Sequence, residues 1–329
     1  VHALLRTMKD RGVNTACMEV SSHGLDYGRI TGLSVKKAIY TNMTYDHLFY
    51  HKTKENYYQA KFKLFQMAEQ LCVINIDDEQ GPRIVAELKE LGKNIFTYGL
   101  HQNADLYADN ISITMRGTTF DAHYKGTTHP LFIHMPGVYN VYNALGVISC
   151  ALNDGISMDT IAAGLQDVEF VPGRFEKVNY PIDATIILDY AHTGDGMEKM
   201  LNMIKPLAKG RIVVLFGSVG ERDFDRRQAL GQAAGKYADY VVITSEDPGN
   251  EDLRNICEEI ADGVRQTHTN YVIIPDRWEA VRFALATYQP DDTIIFAGKA
   301  GDRYMNIKGK IYNYEEKVVV LNTLKELYG

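Results

Sequence analysis

Residues 210–217, GRIVVLFG, form an apolar run closed by a glycine, and the charged stretch SVGERD (218–223) follows directly. Segments with helical spacing of apolar residues, such as RRQALGQAAGKYA (226–238), separate this run from others like it. The other runs in the second half of the chain are ATIILDY (184–190), DYVVITS (239–245), NYVIIPD (270–276) and DTIIFAG (292–298). Short buried strands alternating with helices predict a parallel, doubly wound α/β sheet.

Glycines and charged residues follow most of these predicted strands. In a sheet of this kind, ligands bind beyond the carboxyl ends of the strands. One loop rich in glycine and aspartate is most simply an ordinary turn, but several on one sheet edge predict a ligand site. The loops in question are DYAHTGDG (189–196), GSVGERD (217–223), SEDPGNED (245–252) and GKAGDR (298–303).

The first half of the chain mixes strands and helices, which suggests two domains, 1–177 and 178–329. Short alternating segments between about 95 and 135 predict a small antiparallel section. A helix ending at a glycine is predicted over 139–155, and VPGRFEKV (171–178) resembles a hinge. The longer predicted strands are NTACMEV (14–20), KKAIYTNMT (36–44) and LCVINIDD (71–78).

Composition excludes several classes of protein. The 329 residues carry a net charge of −7 and no basic stripe, which argues against a nucleic-acid surface. No apolar run approaches the roughly 20 residues that span a bilayer. Four cysteines without CxxC spacing are typical of core thiols in a reducing compartment, so a cytoplasmic protein is expected. The chain begins inside a helical pattern, VHALLRTMKDRGV, which suggests truncation at the N-terminus.

Lys61 lies on the apolar face of a predicted helix. At about 100° per residue, the side chains nearest Lys61 are apolar or aromatic, whereas Lys63 points the opposite way. The ordinary explanation is a snorkelling lysine or an ion pair with Asp46. The alternative is that a buried, neutral amine reacts with carbon dioxide to give a carbamate, an anionic oxygen ligand.

Two other side chains could complete a metal site with Lys61. Glu19 and His47 each follow a predicted strand, and a carboxylate and an imidazole are common ligands of divalent metals. Taken singly, they are as readily explained as a surface carboxylate and a loop histidine. The residues alone leave both explanations open.

Six motifs, in order, resemble those of the Mur ligases. The resemblance runs from about residue 15 to 310 and is strongest to the MurE branch, which adds the third amino acid of the peptidoglycan stem. The motifs are MEVSSHGL (18–25), TNMTYDHLFYHKTKENYYQAKFKLF (41–65), YNVYNAL (139–145), VPGRFE (171–176), DYAHTGDG (189–196) and TSEDPGNEDL (244–253).

The resemblance implies an ATP-dependent amide ligase. Its fold would be a partial central Mur-ligase ATPase domain followed by a Rossmann-like doubly wound domain. ATP would phosphorylate the terminal carboxylate of UDP-N-acetylmuramoyl-L-alanyl-D-glutamate, and the incoming amine would attack the acyl phosphate. Two Mg²⁺ sites suit the charge that develops on the transferred phosphoryl group. A monomer with small-molecule partners only is expected.

The resemblance also implies roles for particular residues. Tyr27 stands where some relatives have glutamine, so its substrate contact is open. The implied sets are Glu19, His47 and carbamylated Lys61 for metal; Lys61, His47 and His192 for catalysis; Asn143, Arg174 and Asp189 for ATP; Ser21, Tyr27 and Arg29 for the muramoyl substrate; Arg222, Glu246, Asp247, Gly298 and Asp302 for the amino acid.

The third amino acid is expected to be L-lysine. Members of the family that use diaminopimelate carry DNPR, whose arginine receives the second carboxylate, whereas this chain has EDPG at 246–249. An acidic pocket of Glu246, Asp247 and Asp302 would suit an ammonium group. Ornithine and diaminopimelate stay as alternatives.

Other functions also stay open. The P-loop pattern GxxxxGK[ST] is absent from these residues, so the fragment itself is expected to bind ATP poorly and could be an inactive binding module. Another ligase of the superfamily, of the folylpolyglutamate or cyanophycin synthetase type, is the nearest alternative. A metal hydrolase built on the Glu/His/Asp cluster is the alternative from a different class.

Overall fold

The computed structural model describes residues 1–43, 48–221 and 224–329, and for residues 48, 49 and 225 only the backbone. The chain divides into two compact units. The first comprises Val1–Ile113, Thr118–Ile133 and Val138–Asp167, and the second comprises Thr114–Gly117, His134–Gly137 and Val168–Gly329.

The sheet of the first unit has six strands in the order β1-β2-β3-β4-β5-β6. Pairing is parallel from β1 to β4, and β5 and β6 are antiparallel. The predicted antiparallel section is therefore confirmed for β5 and β6, whereas β3 joins β4 in parallel. The strands are β1 Val35–Tyr40, β2 Ala68–Asn75, β3 Ile95–Gly99, β4 Leu106–Thr114, β5 Gly117–Tyr124 and β6 Thr127–Ile133.

Helices cover both faces of this sheet. Alternate residues of β2 point to opposite faces, so Cys72 and Ile74 pack under one layer while Leu71 and Val73 pack under the other. This two-sided burial is why the strand is a continuous apolar run in the sequence. The helices are α1 His2–Asp10, α2 Ser22–Asp26, α3 Leu48–His51, α4 Lys54–Met67, α5 Gly81–Glu90, α6 Val138–Asn153 and α7 Met158–Gln166.

The predicted strand at 14–20 is wrong. Residues 13–20 have no regular secondary structure, and all but Val20 are exposed. A buried strand needs a hydrogen-bonded neighbour and cover on both faces. In the described part of the chain β1 lies at the sheet edge and pairs only with β2, and residues 13–20 form no pairing along its open edge.

The cysteines also depart in part from the expectation of core thiols. Cys72 and Cys257 are buried, and burial raises the pKa of the Cys72 thiol to about 11. Cys150 is half-buried, and Cys17 is exposed because it lies in the irregular segment.

The second unit contains the predicted doubly wound sheet. Its order is β11-β10-β9-β12-β8-β7, parallel throughout except for the edge strand β7, which is antiparallel to β8. A separate hairpin pairs β13 with β14. The strands are β7 Glu176–Val178, β8 Ala184–Asp189, β9 Ile212–Phe216, β10 Tyr240–Ile243, β11 Asn270–Ile273, β12 Asp292–Ala297, β13 Tyr304–Ile307 and β14 Lys310–Asn313.

Two helical layers enclose this second sheet. Val214 and Phe216 of β9 pack into the layer of α8, α9 and α10, whereas Val213 and Leu215 pack into the layer of α11 and α12. The helices are α8 Gly194–Ile204, α9 Asp225–Tyr237, α10 Leu253–Arg265, α11 Arg277–Ala286 and α12 Glu316–Tyr328. Within the described ranges, no helix combines the length and the apolar character needed to cross a membrane.

Candidate functional site

Four loops meet at the carboxyl edge of the second sheet. We call residues 190–193, 217–221, 244–250 and 298–302 the strand-end loops. The Gly298 amide donates to the Asp189 carbonyl at 3.1 Å, which joins the ends of β12 and β8. The Gly220 amide donates to the Asp247 carbonyl at 2.8 Å, which joins the loops after β9 and β10. The loops singled out in the sequence therefore form one surface.

Lys299 changes the predicted acidic pocket. Its side chain is fully buried and its Nζ donates to Asp247 Oδ2 at 2.7 Å and to Asp302 Oδ2 at 3.0 Å. Two of the three predicted carboxylates thus share one internal ammonium, which offsets one of their two negative charges. Sequence reasoning passed over Lys299, although its spacing of three residues from Asp302 was a usable signal.

Glu246 is the carboxylate of this group that lies deepest. It is 5% exposed, and burial raises the pKa of its carboxyl group, while Arg277 acts in the opposite direction. Its Oε2 has no hydrogen-bond partner among the described residues. Gly298 has a φ of +89°, and a Cβ there would lie 2.9 Å from Glu246 Oε2. Glycine is therefore required both by the backbone and by the approach of this carboxylate.

Asp189 ends β8 and is held in place by the backbone. Its Oδ2 accepts from the Phe175 amide and its Oδ1 from the Ala191 amide, both at 2.8 Å. Burial raises the pKa of Asp189, and these amides oppose the shift. Each carboxylate oxygen still has a second lone pair, so a hydroxyl donor could bind as well.

His192 and Arg174 flank Asp189. The His192 Nδ1–H donates to the Tyr190 carbonyl at 2.8 Å, and this contact selects the tautomer whose lone pair lies on Nε2. The exposed Arg174 guanidinium lies 4.9 Å from the centre of the Tyr190 ring. Both side chains are thereby oriented by Tyr190.

In the first unit, Lys61 lies where the helical period predicted. Tyr57, Tyr58 and Phe65 of α4 are buried, Lys61 is half-buried, and its Nζ lies 5.2 Å from the centre of the Tyr57 ring. Lys63 on the opposite side is exposed and pairs with Asp26 at 2.6 Å.

The other two predicted metal ligands are not brought to Lys61 by any described contact. Glu19 is exposed in the irregular segment. His47 lies outside the described residues, as do Asp46 and the amino-acid ligand Arg222. Among the residues that the structure describes, no group of three or more His, Cys, Asp or Glu side chains is arranged to hold a metal ion.

The predicted muramoyl contacts surround the short helix α2. The Ser21 hydroxyl caps this helix by accepting from the Gly24 amide at 3.1 Å. Tyr27 ends the helix and is exposed, and the guanidinium of exposed Arg29 lies 6.0 Å from its ring centre. Beneath them, buried His51 contacts the Ser22 hydroxyl at 2.9 Å.

Asn143 is exposed on α6. Its amide group contacts the Asn140 Oδ1 at 3.3 Å. The neighbouring Tyr142 hydroxyl donates to Asp77 Oδ2 at 3.0 Å and thereby fixes this turn of the helix against the end of β2.

Comparison with known proteins gives a consistent result. Residues 1–151 match the Mur ligase middle domain and residues 173–300 match the domain described as Mur ligase, glutamate ligase domain. The UDP-N-acetylmuramoyl-L-alanyl-D-glutamate–2,6-diaminopimelate ligase 1 of Clostridium acetobutylicum is 42% identical over 318 residues, which is 96% of this chain and 65% of that protein. The corresponding ligase of Clostridium tetani is 39% identical over 330 residues, 100% of this chain and 67% of that protein.

A solved structure of a protein with the same name is similar to the whole chain. It is 29% identical, has a TM-score of 0.65, and the match covers 97% of this chain and 66% of that one. The chain therefore spans about two thirds of the length of the relatives that it matches.

Proposed function

Because the chain belongs to the Mur ligase family, we propose that it works as part of an ATP-dependent ligase of the MurE type. The reaction joins a third amino acid to UDP-N-acetylmuramoyl-L-alanyl-D-glutamate in peptidoglycan synthesis, in the cytoplasm. The observation that supports it best is the meeting of the strand-end loops, with buried Glu246 and Lys299, at the edge where such sheets bind ligands.

The proposed chemistry has two steps. An oxygen of the substrate carboxylate attacks the γ-phosphorus of ATP and ADP leaves, which gives an acyl phosphate. The amine of the amino acid then attacks the acyl carbon, loses a proton, and expels inorganic phosphate from the tetrahedral intermediate. His192, whose Nδ1–H donates to the Tyr190 carbonyl, is proposed to accept a proton at Nε2 at this edge of the sheet.

Nucleotide contacts are proposed for Asp189, Arg174 and Asn143. Asp189 is the best supported, since two backbone amides fix its oxygens while leaving lone pairs for ribose hydroxyls. Arg174 offers an oriented, exposed guanidinium, a group suited to phosphate. The nucleotide contact of Asn143 is proposed only because its motif resembles that of the Mur ligases.

Two Mg²⁺ ions are proposed, with Glu19, His47 and carbamylated Lys61 as protein ligands. The donor set fits magnesium, because a carboxylate and a carbamate both offer anionic oxygens. Bound magnesium would neutralise charge on the phosphoryl group in transfer. Lys61 is half-buried, and burial favours the neutral amine that carbamate formation needs, whereas the contact with the Tyr57 ring favours the ammonium.

For the muramoyl substrate we propose contacts from Ser21, Tyr27 and Arg29. Tyr27 and Arg29 are exposed beside each other, and Ser21 lies at the start of the same short helix. A hydroxyl, a phenol and a guanidinium together suit a sugar phosphate and a peptide carboxylate.

L-Lysine is proposed as the third amino acid, with diaminopimelate as the alternative outcome. Arg222 is proposed to receive the α-carboxylate, and Glu246 the side-chain ammonium, because its Oε2 is buried and lacks a described partner. The segment 246–249 has no basic residue for a second carboxylate. The names of the relatives favour diaminopimelate, and the pairing of Asp247 and Asp302 with Lys299 weakens the acidic-pocket argument.

Release of phosphate by the natural full-length protein tests the proposal. Phosphate should appear only when ATP, Mg²⁺, the UDP-muramoyl dipeptide and an amino acid are all present, and L-lysine, diaminopimelate and ornithine should be compared at equal concentration. Phosphate release without an amino acid would contradict the ligase, and a preference for diaminopimelate would contradict the lysine assignment.

Lys61→Ala tests the carbamate. The variant should lose nearly all activity and regain part of it when a short-chain carboxylic acid is added. Lys63→Ala, on the exposed side of the same helix, is the matched control and should keep full activity. Unchanged activity in Lys61→Ala would show that Lys61 has no part in metal binding.

A further inference from the structure

Arg277 is a fully buried cation beneath the strand-end loops. It is the first residue of α11, which Asp276 caps by accepting from the Glu279 amide. A buried guanidinium is costly unless every donor finds a partner. Its partners therefore show what the side chain holds in place.

Two of these partners are strand-end carbonyls. Arg277 Nη1 donates to the Ser245 carbonyl at 2.9 Å, and Nη2 donates to the Ala297 carbonyl at 3.1 Å. Ser245 immediately precedes Glu246, and Ala297 immediately precedes Gly298. Because β9 separates β10 from β12 in the sheet, one guanidinium spans the ends of two strands that do not touch.

Another partner of the Arg277 guanidinium is the Glu316 carboxylate, which also accepts from Tyr314. Arg277 Nη2 and Nε donate to Glu316 Oε2 at 2.6 and 3.0 Å, and the Tyr314 hydroxyl donates to Glu316 Oε1 at 2.8 Å. Glu316 is also buried, so it compensates the charge of Arg277 inside the protein. Glu246, on the other side, keeps its Oε2 without a described partner.

We propose that Arg277 is a positioning residue for the amino-acid site: it fixes the spacing between Glu246 and the loop Gly298–Asp302 without touching the substrate. This inference rests on the proposed function. Only arginine can do this, because its planar fork donates in two directions at once, whereas lysine presents a single charged point.

Three variants of the natural full-length protein test it. Arg277→Met removes both strand-end bonds and leaves Glu316 as an unpaired buried charge. Arg277→Met combined with Glu316→Leu removes that charge as well, and apolar replacement of a buried ion pair restores much of the stability. Arg277→Lys keeps the charge but not the fork.

The matched control is Arg211→Met, at the opposite end of the same sheet. Arg211 donates to Asp292 at 2.7 and 3.1 Å, where β12 begins, far along the strand from Ala297. Its loss should lower the melting temperature and leave the KM values unchanged.

All three Arg277 variants should raise the KM for the amino acid by roughly tenfold or more, while the KM for ATP stays within about twofold. The double variant should regain melting temperature and keep the raised KM. If Arg277 contributed only to stability, the KM for the amino acid would recover together with the melting temperature.

Two results would overturn the inference. One is an amino-acid KM that returns to normal with the stability of the double variant, and the other is a KM unchanged in all three. Wild-type protein that forms no product would refute the proposed function and the inference together, whereas ligation by wild type with normal KM values in the variants refutes the inference alone.

Discussion

Replacing Lys299 with methionine removes a buried ammonium and leaves Asp247 and Asp302 facing each other without it. The two ion pairs measure 2.7 and 3.0 Å, and the lysine side chain is fully buried. Methionine fills similar volume, so the change removes charge with little loss of packing.

The size of the effect follows from burial. Removing one partner of a buried ion pair costs about 3–5 kcal/mol of unfolding free energy. Asp247 and Asp302 keep 20% and 29% of their side-chain surface exposed, so water offsets part of this cost. We expect a loss of about 2–3 kcal/mol, which lowers the urea midpoint by roughly 1 M for a typical m-value.

Tryptophan fluorescence can measure this loss in the second unit specifically. Trp278 is the only tryptophan of the chain, and its ring contacts that of Tyr314 at a centroid distance of 5.1 Å. Urea unfolding followed at this residue should show the shift at pH 7.

Lys236→Met is the matched control. Lys236 pairs with Glu198 at 2.7 Å in the same unit, and both side chains are exposed, at 59% and 46%. An exposed pair contributes about 0–1 kcal/mol, so the control should shift the midpoint little. If Lys299→Met destabilises no more than Lys236→Met, the buried ion pairs of Lys299 do not stabilise the protein to the expected extent.

Three further predictions concern other parts of the chain. Gly231→Ala should lower the free energy of unfolding by about 2 kcal/mol in thermal melts, because a Cβ there would lie 2.1 Å from a backbone oxygen of α10. Gly164→Ala is the control: nothing in the described chain lies within 4 Å of its Cβ, so it should raise that free energy by up to about 1 kcal/mol. Cys17 should react with a thiol reagent before any other cysteine, and mass spectrometry of labelled peptides would contradict this if a buried thiol reacted first. Hydrogen bonds from Arg83 lower the pKa of Glu55 to about 2. The stability that this pair contributes is therefore complete above about pH 4.5 and declines as the pH falls toward 2. An NMR titration of Glu55 with a midpoint near the ordinary value would contradict this prediction.

The second sheet was predictable because each central strand is buried on both faces. Such strands appear as short, continuous apolar runs, and all five predicted runs became β8 to β12. The position of Lys61 was predictable for a similar reason, since helical periodicity alone places it beside Tyr57 and Tyr58. In both cases local pattern and tertiary packing agree.

The segment 14–20 shows where local pattern fails. Its apolar residues fit a buried strand, but burial also needs a neighbour that the pattern does not contain. In the described residues the segment forms no pairing with the open edge of β1. Propensity without a partner does not make a strand.

The pairing of Lys299 with Asp302 could have been predicted from their spacing, but its pairing with Asp247 could not, because Asp247 is 52 residues away. The predicted pocket counted the three acids Glu246, Asp247 and Asp302 and missed the ammonium that the fold places between two of them. The same holds for Arg277, whose first-turn position on a helix suggests exposure rather than a bridge between two strands.

The strand order of the second sheet also bears on protein synthesis. β12 lies between β9 and β8 although it follows both in the chain, and all six of its residues are buried. Until residue 297 has left the ribosome, the earlier strands can form only two half-sheets with unpaired apolar edges, the kind of surface that aggregates or recruits chaperones. A premature stop before Asp292 should therefore yield an insoluble product rather than a smaller folded domain.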